Sequence, residues 1–225
     1  MGEAIGQVLP MAVGVAISPL PIIAVILMLV TGRARVNGPA FVVGWLIGLG
    51  IIGILVIGFA GGAAATSSGK PATWVVLLEL VLGSLLLLVA MRQFRSRPHD
   101  GVEAPMPTWM GAIDTFTPRK ALGAGVLLSA LNPKNLLLAV GAAATIAQTG
   151  IATSQQALAY LVFAIIATIG VATPVVMFFA LGDKAPPLLD RMKGWMGQNN
   201  AVIMAILCLV IGVKLIGQAL GGLTA

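Results

Sequence analysis

Leu127–Leu138 reads LLSALNPKNLLL, an apolar run interrupted by Asn132, Pro133, Lys134 and Asn135. Proline has no backbone donor and clashes with the turn before it. A lysine inside hydrocarbon costs ~2.5–3.5 kcal/mol on insertion scales. Together they predict a membrane helix that stops and restarts within its own length. The surrounding composition supplies the membrane: 59% of the 225 residues are hydrophobic, 9% are charged, and the mean hydropathy is +1.04. Soluble domains carry about 25% charged residues.

A crossing helix needs about 20 apolar residues. Six stretches qualify: Ile5–Val30, Pro39–Gly62, Trp74–Met91, Arg119–Ala147, Gln156–Leu181 and Ala201–Leu220. The predicted fold class is therefore all-α, a polytopic membrane protein of six transmembrane helices. MGEAIGQVLP lacks the basic start of a signal peptide and is read as part of a retained first span; Gly6 stands where a myristoylation motif needs Ser or Thr.

The net charge of +6 is distributed by side. Of the thirteen Lys and Arg residues, all but Lys70, Lys134 and Lys214 fall in the first, third and fifth connections (Arg33, Arg35; Arg92, Arg95, Arg97, Arg119, Lys120; Lys184, Arg191, Lys193). The positive-inside rule makes those connections cytoplasmic and puts both termini outside. The basic excess is an orientation signal, so no nucleic-acid partner is expected.

The chain divides into residues 1–92, a polar linker at 93–118, and residues 119–225. Ile17-Ser18-Pro19 parallels Leu131-Asn132-Pro133, and LELVLG (Leu78–Gly83) parallels LCLVIG (Leu207–Gly212). Each half has three spans, so the halves enter the membrane in opposite directions, the pattern of an inverted three-helix repeat. Thr117-Pro118 has the form of an N-cap followed by a first-turn proline. The linker holds the lone His99, a solvated loop residue, and Asp114, a surface charge. Leu188, Leu189, Met192, Trp195 and Met196 share one helical face, which predicts an interfacial helix in the fifth connection.

Ser18-Pro19-Leu20-Pro21 and Asn132-Pro133-Lys134 each lie about thirteen residues into their spans, or ~20 Å along at 1.5 Å per residue. Each break exposes the amide-rich, partly positive start of a half-helix. With Lys134 added, the two starts predict an anion-attracting site near the midplane, where Ser18 and Asn132 supply hydrogen bonds. No carboxylate cluster accompanies it, so neither metal nor cofactor is expected. Glu79 and Lys214 lie at matching depths, which predicts an intramembrane ion pair; the alternative has Lys214 reaching outward alone. Thr168 and Thr173-Pro174 are expected to accommodate a proline bend. Cys208 is read as a small core residue. One intramembrane acid, with no His and no Cys pair, argues against an enzyme.

SPLP in the first span, LELVLGSLLLL in the third, and DTFTPRKALGAGVLLSALNPKN entering the fourth resemble the peptidoglycolipid-addressing, or sulfolipid-addressing, protein family of the lysine-exporter transporter superfamily. The resemblance implies six helices in two inverted repeats. It implies a role in moving glycolipids or related envelope lipids across the bacterial plasma membrane, alongside large lipid-export pumps. By position it places Ser18, Pro19 and Pro21 with Asn132, Pro133 and Lys134 at the central site. The same site would suit the carboxylate of an exported amino acid, and an accessory subunit of a lipid pump is the remaining reading.

Overall fold

A computed structural model describes residues 1–63, 73–96, 113 and 115–224. Residues 97–112, which include most of the linker and His99, lie outside the described residues, as do Asp114 and Lys70. Among the described residues eight α-helices follow one another: α1 (Gly2–Ala16), α2 (Pro19–Leu29), α3 (Ala34–Ala63), α4 (Thr73–Arg95), α5 (Pro118–Ala130), α6 (Pro133–Gln148), α7 (Thr153–Leu181) and α8 (Ala185–Thr224).

Proline sets three of the starts. Pro19, Pro118 and Pro133 occupy the first helical position after Ser18, Thr117 and Asn132, where a missing N–H costs nothing. As expected, Thr117 caps α5, its hydroxyl accepting from the Lys120 amide at 3.4 Å. The two expected breaks are present. α1 and α2 meet at 49°, and α5 and α6 meet at 64°.

Among the described residues, three stretches can cross a membrane alone by length and composition, or five when each bent pair counts as one span. The difference from the six expected crossings has a local cause. The last stretch, Thr153–Gly222, is a continuous helical stretch of 70 residues holding α7 and most of α8. They are separated only by a short 3-10 turn at Gly182–Lys184, where Gly182 takes φ 52°, a backbone state open to glycine. The predicted interfacial helix is not a separate element. It forms the first turns of α8, because Pro186 and Pro187 sit where a helix tolerates proline and nothing breaks the chain at Asn200. Leu189 and Met196 are buried there, whereas Trp195 remains exposed.

The packing turns a soluble protein's logic outward. α2 and α6 are enclosed at the centre: Ala24, Val25 and Ile26 of α2, and Leu138, Ala139, Ala142 and Ala143 of α6, are all fully buried. Large apolar side chains instead cover the outer surfaces of α3, α4, α7 and α8, with Phe59 78% and Ile54 75% exposed. Exposed apolar area on that scale marks a lipid-facing surface. α3 packs on α5 and α7 on α1; α8 packs on α2 and α4 on α6; α7 packs on α2 and α3 on α6; α4 and α8 pack on each other.

Small residues bring these backbones together. A Cβ on Gly44 would lie 2.0 Å from the Leu122 carbonyl oxygen, one on Gly125 2.2 Å from that of Phe41, and one on Gly170 1.7 Å from that of Ala16. At the α4–α8 contact the glycines closing the two related motifs face each other: a Cβ on Gly83 would meet the Gly212 carbonyl at 2.9 Å, and one on Gly212 the Gly83 carbonyl at 3.0 Å.

Candidate functional site

The helix breaks decide which backbone groups need partners. The ladder of α1 ends with the Ile17 amide on the Val13 carbonyl, and that of α5 with the Leu131 amide on the Leu127 carbonyl. The next carbonyls along, Gly14 and Leu128, face the two breaks. Buried carbonyls without donors are costly, and α6 supplies both donors. The Lys134 ammonium donates to the Gly14 carbonyl at 2.7 Å, and the Asn135 amide donates to the Leu128 carbonyl at 3.0 Å. A cation at a helix C-terminus also complements the negative end of its dipole. Lys134 is 1% exposed and Asn135 fully buried.

Two further bonds close the cluster. Asn132 caps α6, its Oδ1 accepting from the Lys134 amide at 3.2 Å. The Ser18 hydroxyl, itself buried, donates to Asn135 Oδ1 at 3.2 Å. The two breaks are thus brought together and stitched to each other by adjacent residues of α6. Pro19 and Pro21 are buried in the first turn of α2, and Pro133 is exposed.

Two cavities flank the stitched layer on one face of the bundle. The larger, about 630 Å³, is an apolar groove formed by Leu85, Leu88 and Met91 of α4 with Leu131, Pro133 and Leu136, and it ends at Arg92 and Arg95. The second, about 360 Å³, shares Leu131 and Pro133 with it and adds the polar groups of Ser18, Gln93, Asn132 and Asn200. Asn132 and Pro133 therefore reach open space, and Ser18 lines the second cavity from a buried position. Lys134 lines neither cavity; its charge is held on α1. Arg92 and Arg95, counted above only as an orientation signal, are the residues that sequence reasoning left out. Their i, i+3 spacing on the helix that carries LELVLG was the available clue.

Glu79 and Lys214 make no direct contact within 4.0 Å and attract each other only at longer range; among the described residues the ion pair within that distance joins Lys193 to Asp190. Glu79, 3% exposed, accepts instead from Thr145 at 3.3 Å and Gln148 at 3.1 Å, both on α6. The Lys214 ammonium donates to the Gln7 carbonyl. Neutral donors on α6 thus satisfy the acid. Thr168 and Thr173 direct their hydroxyls to the Ala164 and Ile169 carbonyls one turn back. Cys208 is buried.

Neither curated proteins nor solved structures contain a match to this chain. Among protein families, residues 8–221 match the one described as Sap, sulfolipid-1-addressing protein. With nearly its whole length covered, including both helix breaks and the α4–α8 glycine contact, the chain belongs to the sulfolipid-1-addressing protein family.

Proposed function

We propose that the protein is a transporter, not an enzyme, that moves an anionic or amphiphilic envelope lipid, a glycolipid or its precursor, across the bacterial plasma membrane past the paired helix breaks. The apolar groove carries this reading. Its apolar wall includes exposed Leu85, Leu88, Met91 and Leu131, and it ends in Arg92 and Arg95, so acyl chains and an anionic headgroup each meet matching chemistry. Its wall includes Leu131 and Pro133, which places the groove against the break. Ser18, Pro19, Pro21, Asn132, Pro133, Lys134 and Asn135 form the midplane site, Ser18 and Asn132 facing the cavity and Lys134 and Asn135 holding the half-helices in place. The family name supports the lipid assignment.

Six crossings in two inverted repeats account for the helix packing. Exchanging α1 with α5, α2 with α6, α3 with α7 and α4 with α8 maps the helix contacts named above onto one another. The Gly83–Gly212 contact has the self-complementary form that a two-fold axis requires. Counting α7 and α8 separately then yields six spans. With the arginine end cytoplasmic, both termini face outside. Replacing Cys208 with alanine and placing single cysteines at Glu3 and Arg95 tests this: an impermeant maleimide is expected to label Glu3→Cys in intact cells and Arg95→Cys only after lysis. The opposite pattern would invert the topology.

Transport is testable in proteoliposomes with a fluorescent anionic lipid. The double variant Arg92→Gln/Arg95→Gln is expected to slow translocation about tenfold or more, from roughly 1 kcal/mol of attraction per arginine, and to leave a zwitterionic analogue unaffected. An unchanged rate for the anionic lipid would remove the groove from the mechanism. The smaller polar cavity, with Ser18, Gln93, Asn132 and Asn200, favours a second reading, export of an amino-acid-like metabolite; amino-acid counterflow without lipid movement would support it. Absence of both activities, with co-purification of a large lipid-export pump, would mark an accessory subunit.

A further inference from the structure

At the opposite end of the bundle, a third cavity of about 420 Å³ lies between the start of α1, the end of α6 and the end of α8, with Glu79 of α4 in its wall. We propose that it is a second binding site, for an uncharged, hydroxyl-rich group such as a sugar. The proposal goes beyond the anionic-lipid reading and does not depend on it.

Part of the donor capacity in the cavity wall is already committed. Thr145 and Gln148 donate to Glu79 Oε1, Gln7 donates to Glu3 Oε1 at 3.2 Å, and Thr149 donates to the Ile146 carbonyl at 2.7 Å. What remains is mixed: a second N–H on each of Gln7 and Gln148, the carboxylates of Glu3 and Glu79, and Gln218, whose Oε1 is buried without a hydrogen-bond partner. Buried polar groups left unpaired are costly, so a ligand that brings both donors and acceptors is favoured.

Charge narrows the ligand further. Two carboxylates line the cavity and no Lys or Arg does, which disfavours an anion. The Lys214 ammonium sits behind the wall on the Gln7 carbonyl and offsets one of the two carboxylates, which reduces the attraction for an organic cation. Among the described residues no three potential metal ligands gather, and the cavity is far larger than an ion, within the ~300–1,000 Å³ usual for small-molecule sites. A neutral polyol satisfies all of these conditions.

Saturation-transfer NMR on the protein in phosphatidylcholine nanodiscs, with sucrose and methyl glucoside as probes and choline and sulfate as comparators, tests the site. Saturation is expected to pass to the sugars and not to the comparators. Gln218→Leu is expected to weaken sugar binding tenfold or more; Gln218 is only partly buried, near the end of α8, so the variant should fold. Arg92→Gln/Arg95→Gln is expected to retain sugar binding even where lipid translocation is lost, which separates failure of this site from failure of the groove. Displacement by a glucosyl lipid in the nanodisc would identify a lipid-borne sugar, and lack of displacement a free one; both uphold the site. Transfer to choline in preference, no transfer to sugar, or equal binding by Gln218→Leu would overturn it.

Discussion

Gly44→Ala and Gly125→Ala are each expected to prevent accumulation of folded protein, whereas Gly50→Ala and Gly123→Ala in the same two helices are expected to be tolerated. The contrast rests on what a single methyl group meets. On Gly44 it would lie 2.0 Å from the Leu122 carbonyl oxygen, and on Gly125 2.2 Å from that of Phe41; on Gly50 and Gly123 it would meet nothing within 4 Å. A flexible side chain could rotate away from such a clash, but a helix carbonyl cannot. Relief requires α3 and α5 to separate by an ångström or more along a contact held mainly by close packing. Overpacking typically costs 1–3 kcal/mol, and a backbone clash belongs at or above the upper end of about 3 kcal/mol. At the open positions alanine removes a glycine from a helix interior, worth roughly 0.5–1 kcal/mol in the stabilising direction. Thermal midpoints from size-exclusion chromatography in detergent check all four variants. Gly44→Ala and Gly50→Ala with the same midpoint would show that α3 and α5 do not approach as described. Gly170→Ala, 1.7 Å from the Ala16 carbonyl, extends the expectation to the α1–α7 contact.

How much of this was legible beforehand varies with the kind of interaction. The helix breaks were, because proline's chemistry is local: Ser18-Pro19 and Asn132-Pro133 announce a cap and a first turn whatever surrounds them. The importance of NPKN was legible too, but its targets were not. Lys134 reaches a backbone carbonyl at Gly14 and Asn135 one at Leu128, and a carbonyl has no signature in a sequence. Lys134 was expected to face a chamber as a free charge; it caps a helix instead. Similar depths suggested that Glu79 and Lys214 would pair, since opposite charges are conspicuous. Neutral Thr145 and Gln148, one turn apart on α6, took Glu79 because their distance from it is set by the packing of α4 on α6, a tertiary fact. Arg92 and Arg95 were visible, and counting them for orientation concealed their place at the end of a groove. The start of α8 was misjudged for a physical reason as well: polar residues at Asp190–Asn200 resemble a connection, yet none of them breaks a helix.

Lys134→Met is expected to leave the protein folded while reducing transport at least tenfold, and this separation distinguishes a positioning role from simple structural support. Two effects on stability oppose each other. Removing the ammonium leaves the Gly14 carbonyl unsatisfied at about 1–3 kcal/mol. It also relieves the burial of a cation that is 1% exposed, a penalty of several kcal/mol in low-dielectric surroundings that its partner only partly offsets. Methionine keeps the unbranched stem and most of the packing, so the thermal midpoint should shift by only a few degrees. Function has no such compensation. Among the described residues, Lys134 supplies the hydrogen bond that ties α6 to the end of α1 at the break, and Asn135 beside it ties α6 to α5 and to Ser18. Without the first tie, the two half-helix starts lose their fixed relation at the point where the groove reaches Pro133, and misplacement of a binding constellation by about 1 Å is enough for a large loss. Lys134→Ala adds a cavity and should cost stability as well, which makes Met the cleaner substitution. Lys134→Arg offers a charge but a bulkier planar head in a filled space, so it should not restore transport. Lipid translocation in proteoliposomes, measured beside the melting curve of the same preparation, reads both quantities. Full transport by Lys134→Met would mean that the stitch between the breaks holds the fold alone and that the groove works without it.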